Sequence, residues 1–89
     1  DAAIAYVNRH AATGASVYRL LLPNHLNWLR ADLWHDTSLP AAAWVLVNDL
    51  GLAARGLADV PAAVTRTHEL VHEERVAGAS LVRVYHRKQ

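Results

Sequence analysis

The chain has 89 residues, of which 53% are hydrophobic and 19% are charged, a balance that supports one small packed core and excludes a disordered chain. It contains no cysteine, which excludes disulfide bonds and cysteine-based zinc sites and fits a cytoplasmic protein. The formal net charge of +1 excludes a strong overall electrostatic attraction to nucleic acid or membrane. This length leaves room for one domain, which we expect over residues 1–89. The longest apolar run is too short to span a bilayer, so we expect no membrane partner.

The first third of the chain predicts two helices. Residues 1–12 place apolar side chains at helical spacing, and Gly14 suits the left-handed conformation that follows a helix end. Residues 16–22 fit either a short strand or one more helical turn. Residues 24–35 begin at a good capping residue and carry an apolar stripe, which predicts a second helix.

Residues 39–55 predict a third helix that is apolar nearly all round. Trp44 and the aliphatic residues after it fill this stretch, and only Asn48 and Asp49 interrupt it. A helix of that composition is normally central to a fold or buried in an oligomer interface. We therefore expect it to be covered either by the core or by a partner.

Residues 59–76 predict a fourth helix, and the tail predicts a strand. Asp59 is a suitable N-cap, and Pro61 fits the first turn, where its missing N–H is no loss. Residues 81–88 are β-prone and roughly alternate between apolar and polar. The predicted fold is therefore mainly α, with about four helices around one small core and a short C-terminal β element, either a wing or a two-stranded ribbon.

The fourth predicted helix contains His68-Glu69-Leu70-Val71-His72, which matches the H-E-x-x-H pattern and resembles the zincin metallopeptidases. On a helix, two histidines four residues apart converge on one ion. The resemblance would make His68 and His72 zinc ligands and Glu69 the general base, with His86 as the remaining candidate for a third ligand. Charged residues flank the motif, however, and indicate a solvated helix. A zinc-dependent hydrolase is therefore the third hypothesis, and no catalytic residue or cofactor is assigned.

A second pattern spans residues 52–66. Leu52-Ala53 is followed by a turn at Asp59-Val60-Pro61, and then by Val64-Thr65-Arg66. This segment resembles the helix-turn-helix of winged-helix transcription regulators. The resemblance implies that Val64 packs the two helices together, that Thr65 and Arg66 face DNA, and that the tail with Tyr85 forms the wing.

The first functional hypothesis is accordingly a small DNA-binding regulatory domain that binds through a helix over residues 61–76 and the C-terminal strand. The expected DNA-binding residues are Thr65, Arg66, Arg75, Arg83, Arg87 and Lys88. The alternative is a helical protein–protein interaction or oligomerisation module, in which the apolar third helix meets a protein partner or a second copy. Enzymatic activity is not expected under either of these two hypotheses.

Overall fold

The computed structural model describes residues 2–20, 29–33, 41–76 and 79–88, and it shows helices and strands alternating along the chain. The elements are α1 (Ala2–His10), β1 (Val17–Leu20), a short 3₁₀ helix (Ala31–Leu33), β2 (Trp44–Val47), α2 (Asp49–Ala54), α3 (Ala62–Thr67), β3 (His68–Val76) and β4 (Ala79–Arg87). No helix in these residues is long and apolar enough to cross a membrane.

The four strands form one mixed sheet in the order β1-β2-β4-β3. β1 pairs with β2 in parallel, and β4 runs antiparallel to both β2 and β3. A sheet with helices packed against it is an α+β architecture. The predicted fold, mainly α with four helices, is therefore wrong.

The two ends of the chain agree best with the predicted elements. The first helix is confirmed as α1, and Gly14 has the expected positive φ of 70°. The ambiguous segment after it is a strand, β1. Most of the helix predicted over residues 24–35 lies outside the described residues. The predicted C-terminal strand is confirmed as β4, which begins at Ala79.

The third predicted helix is wrong over its central part, because Trp44–Val47 is strand β2. All four of its residues are buried, since β2 lies between β1 and β4 and is covered on both faces. A short strand buried on both faces has no apolar–polar alternation, so its sequence is as apolar as a buried helix. The chain itself thus covers Trp44–Val47, the central part of the apolar stretch that suggests a partner surface, whereas Leu50 is 60% exposed.

Each face of the sheet has its own cluster of buried side chains. The α1 face is built from α1 and from strand residues that point toward it: Ala3, Ile4, Val7, Val17, Trp44, Leu46, Val82 and Val84. The opposite face, here called the α2 face, carries Leu20, Ala42, Val45, Val47, Leu52, Val64 and Tyr85. The helix α1 therefore lies on one side of the sheet, and α2 and α3 lie on the other.

The fourth predicted helix is also wrong, because the chain is helical only over α3 and then becomes β3. Asp59 does not cap a helix; its carboxylate accepts hydrogen bonds from the Val60 N–H and from Arg83. At His68 the backbone is extended, with φ −129° and ψ 156°. β3 gains a ladder of hydrogen bonds along the whole of β4, and this pairing outweighs the local helical preference of its charged residues.

Arg30 and Asp32 join the end of α1 to the 3₁₀ helix. The Arg30 guanidinium donates to the carbonyl oxygens of Asn8, at 2.7 Å, and Ala11, at 3.1 Å. The Asp32 carboxylate accepts from the Arg30 guanidinium and from the Gly14 N–H, each at 2.8 Å. These contacts satisfy carbonyl groups that the end of a helix leaves without intrahelical partners. The hydrogen bond from Arg30, followed by that from Gly14, holds the pKa of Asp32 well below its usual range.

The lowered pKa of Asp32 predicts a loss of stability in acid. A carboxyl with a depressed folded-state pKa stabilises the fold above its unfolded pKa of about 4, and this contribution disappears as the pH falls through the folded-state value. We expect Asp32→Asn to unfold with a shallower dependence on pH than the wild type below about pH 5. Urea denaturation across this range measures the difference. Arg30→Ala should flatten the curve in the same way, whereas parallel curves for all three proteins would contradict the assignment.

Candidate nucleic-acid interface

The helix α3 presents one buried and two exposed residues in succession. Val64 is buried and lies in the same cluster as Leu52 of α2. Thr65 and Arg66 follow it on the exposed side of the helix. This is the arrangement that the helix-turn-helix resemblance implies for these three residues.

The C-terminal end of β4 lies against the end of α3. The Lys88 N–H donates to the carbonyl oxygen of Thr67 at 2.8 Å, and the Lys88 ammonium donates to that of Thr65 at 3.2 Å. Arg87 is directly opposite His68 in the ladder, and its N–H donates to the carbonyl oxygen of Ala43. These bonds bring together four of the six residues expected to bind DNA, which we call the basic end: Thr65, Arg66, Arg87 and Lys88.

The other two expected DNA-binding residues lie elsewhere. Arg75 is near the far end of the β3–β4 hairpin, where its guanidinium lies 2.7 Å from the Glu73 carboxylate. Arg83 is only 18% exposed and lies 3.2 Å from Asp59 and 3.8 Å from Asp49. Partial burial lowers the pKa of Arg83, but Tyr85 and the two aspartates outweigh it and raise the pKa overall. Arg83 is therefore held by acidic neighbours within the protein.

His68 is a buried core residue and not the rim residue that a helical wheel indicates. It is 2% exposed. Its Nε2 lies 2.7 Å from the carbonyl oxygen of Ala42 and donates to it, because a carbonyl can only accept. Its Nδ1 lies 2.7 Å from the Thr67 hydroxyl. Both ring nitrogens are thus engaged by protein groups, and His68 connects the start of β3 to the segment before β2.

A β-bulge between Leu70 and His72 separates the two histidines of the H-E-x-x-H pattern. Leu70 is opposite Tyr85 on the α2 face, and His72 is opposite Val84 on the α1 face. In an uninterrupted strand, residues two or four positions apart share a face, so His72 would lie on the same face as Leu70 and His68. The bulge reverses the side on which His72 lies. His68 and His72 therefore cannot converge as they would on a zincin helix. Within the described ranges, no group of three His, Cys, Asp or Glu side chains could hold a metal ion.

A set of rings in mutual contact lies on the α1 face. The centroid of the Tyr6 ring lies 4.3 Å from that of the His10 ring and 4.7 Å from that of the His72 ring. Tyr6 also meets Trp44 edge-on at 6.3 Å, and the His86 ring lies 4.3 Å from Trp44. His72 Nε2 is buried and has no hydrogen-bond partner in the part of the chain that the structure describes. The third zinc candidate, His86, is a ring on this face that is tilted by 53° against Trp44.

Sequence reasoning did not identify this ring set, which we call the ring strip: Tyr6, His10, Trp44, His72 and His86. The i, i+4 spacing of Tyr6 and His10 on α1 was the available signal, since residues at that spacing are neighbours on a helix. The remaining members come from three strands, and only the sheet brings them together.

No family model, curated protein sequence or solved structure matches this chain.

Proposed function

We propose that this protein binds DNA through the basic end, with the negatively charged phosphate backbone as the main feature it contacts. The observation that carries the proposal is the convergence of Arg66, Arg87 and Lys88 at one end of the sheet. All three side chains are exposed. Cations concentrated in one place attract phosphates even when the net charge of the protein is close to zero.

The order of elements supports the resemblance to winged-helix regulators. After β2 come the two helices α2 and α3, then the β3–β4 hairpin, whose second strand pairs back to β2. A helix pair followed by a hairpin is the order that the resemblance implies. The chain departs from the winged-helix pattern in the length of its helices, because α2 and α3 have six residues each and β3 follows α3 directly.

The short α3 determines the kind of contact we propose. At 1.5 Å per residue, six residues extend only about 9 Å, so few side chains of α3 can reach base edges in a major groove. Contacts to phosphates need no such reach and fix the position of a protein without reading sequence. The proposed binding is therefore strongly dependent on salt and weakly dependent on sequence.

The test compares two triple variants of equal charge. Arg66→Ala, Arg87→Ala and Lys88→Ala together remove the cations of the basic end and lower the formal net charge from +1 by three, to −2. We expect this variant to bind duplex DNA about 5- to 100-fold more weakly at low salt, since exposed ion pairs contribute up to about 1 kcal/mol each. The slope of log affinity against log salt concentration should also fall by roughly 2 to 3 units. Fluorescence anisotropy with a labelled duplex measures both quantities.

The matched control is Arg9→Ala with Arg55→Ala and Arg75→Ala, three exposed arginines outside the basic end. It reaches the same net charge, so it should retain the affinity and the salt slope of the wild type. Equal weakening in both variants would mean that overall charge, and not the basic end, governs binding. If the wild-type protein binds neither duplex nor single-stranded DNA at low salt, the proposed function is wrong.

A further inference from the structure

The ring strip meets the basic end at consecutive residues of β4. His86 belongs to the strip, and Arg87 and Lys88 belong to the basic end. Successive side chains of a strand point to opposite faces, so His86 lies on the α1 face with Trp44, whereas Arg87 lies on the α2 face with α3. A nucleic-acid strand that contacts both must therefore pass over the end of β4.

His86 has the properties of a stacking platform. Its ring is partly exposed and packs at a tilt of 53° against the indole of Trp44, which is 5% exposed. A ring supported in this way loses little conformational freedom when another flat group stacks on it. Stacking of bases on side-chain rings, next to cations that contact the backbone, is how proteins hold single-stranded nucleic acid.

The charge around His86 indicates which part of a nucleotide fits there. Glu69 is directly opposite His86 in the ladder, on the same face of the sheet, and it is exposed. Its carboxylate repels a phosphate but can accept a hydrogen bond from an N–H group of a base, such as the ring N–H of thymine or uracil. The surface beside His86 therefore favours a base, and the basic end, which begins at the next residue of β4, favours a phosphate.

We infer that His86, backed by Trp44, is a stacking site for an unpaired base, so that the nucleic acid bound at the basic end is engaged as a single strand. This inference rests on the proposed function, because the basic end supplies the phosphate contacts. In a duplex the bases are stacked on one another, and their faces are not available to the His86 ring.

The experiment uses the full chain and three fluorescent probes of equal length: single-stranded oligothymidylate, the same phosphate backbone without bases, and a duplex. We expect the wild-type protein to bind the oligothymidylate most tightly. His86→Ala should weaken that binding by about 5- to 100-fold, with no change for the abasic strand or the duplex. The salt slope should not change, since no phosphate contact is lost. His86→Phe should restore the affinity for the oligothymidylate, because it restores a flat ring.

The control is His10→Ala, which removes an exposed histidine that the rings of Tyr6 and Trp44 separate from His86. This variant should bind all three probes as the wild type does. Oligouridylate is measured beside oligothymidylate, and an effect of His86→Ala on either strand supports the stacking site. Two results would overturn the stacking site when the basic-end variant still loses affinity. In the first, His86→Ala leaves the binding of both strands unchanged; in the second, it weakens binding of the abasic strand equally. If no probe binds, the stacking site and the proposed function both fail.

Discussion

Replacement of Leu46 by alanine should destabilise the protein by about 2–5 kcal/mol, a large part of the 5–15 kcal/mol that a domain of this size has available. Leu46 is fully buried at the centre of β2, where it packs on the α1 face with Ile4, Val7 and Val84. Truncation removes apolar contacts and leaves a cavity that strands paired on both sides cannot close. The midpoint of thermal unfolding should fall by at least about 10 °C.

Urea denaturation measures this loss, and its slope should remain that of the wild type because the surface exposed on unfolding hardly changes. Leu70→Ala is the matched control, since Leu70 is 49% exposed on the outer strand β3 and should cost no more than about 0.5 kcal/mol. Comparable losses at Leu46 and Leu70 would contradict the placement of β2 at the centre of the sheet.

The second large effect is expected at His68. His68→Ala removes the donor to the Ala42 carbonyl and the partner of the Thr67 hydroxyl, and it leaves a cavity in the core. Buried polar groups that lose their partners cost about 1–3 kcal/mol each, so we expect a total loss of about 2–4 kcal/mol. Chemical denaturation at neutral pH measures it.

Two comparisons make the His68 result specific. His10→Ala removes an exposed histidine and should stay within about 0.5 kcal/mol of the wild type. His68→Ala should also disturb the junction of α3 and β4, because His68 lies opposite Arg87 and next to Thr67. A variant as stable as the wild type would mean that His68 is a surface residue, as the helical interpretation of this segment implied.

Local sequence signals predicted the elements whose characteristic pattern is complete within a few consecutive residues. The helix α1 follows from the spacing of Ile4 and Val7, and Gly14 follows from the need for a positive φ after a helix end. The strand β4 follows from its alternating, β-branched residues. Each of these preferences is contained within a few consecutive residues, so a single sequence is sufficient to recognise it.

The two wrong helices failed for different physical reasons. Trp44–Val47 is buried on both faces, and uniform burial removes the alternation that distinguishes a strand from a helix. The apolar residues of His68–Val76 are spaced well enough for a helix, but the conformation of this segment is decided by hydrogen bonds to β4 and by the burial of His68. Information of that kind is in the tertiary structure and not in the segment.

The candidate site was predicted in part. The burial of Val64 and the exposure of Thr65 and Arg66 agree with the expectation from the helix-turn-helix pattern. The proximity of Lys88 to Thr65 could not be predicted, since it depends on the pairing of β4 with β3. The acidic neighbours of Arg83 were not foreseen either, because Asp49 and Asp59 lie far from it in sequence.

The bulge between Leu70 and His72 also affects how the outer edge of the sheet meets other chains. β3 is nine residues long and is the last strand of the sheet, and a long regular edge of that kind can recruit strands from unfolded molecules. An extra residue interrupts the even spacing of the backbone N–H and C=O groups and increases the local twist. An incoming strand therefore cannot keep one register along the whole edge. The irregularity that separates the two histidines thus also disfavours edge-to-edge aggregation.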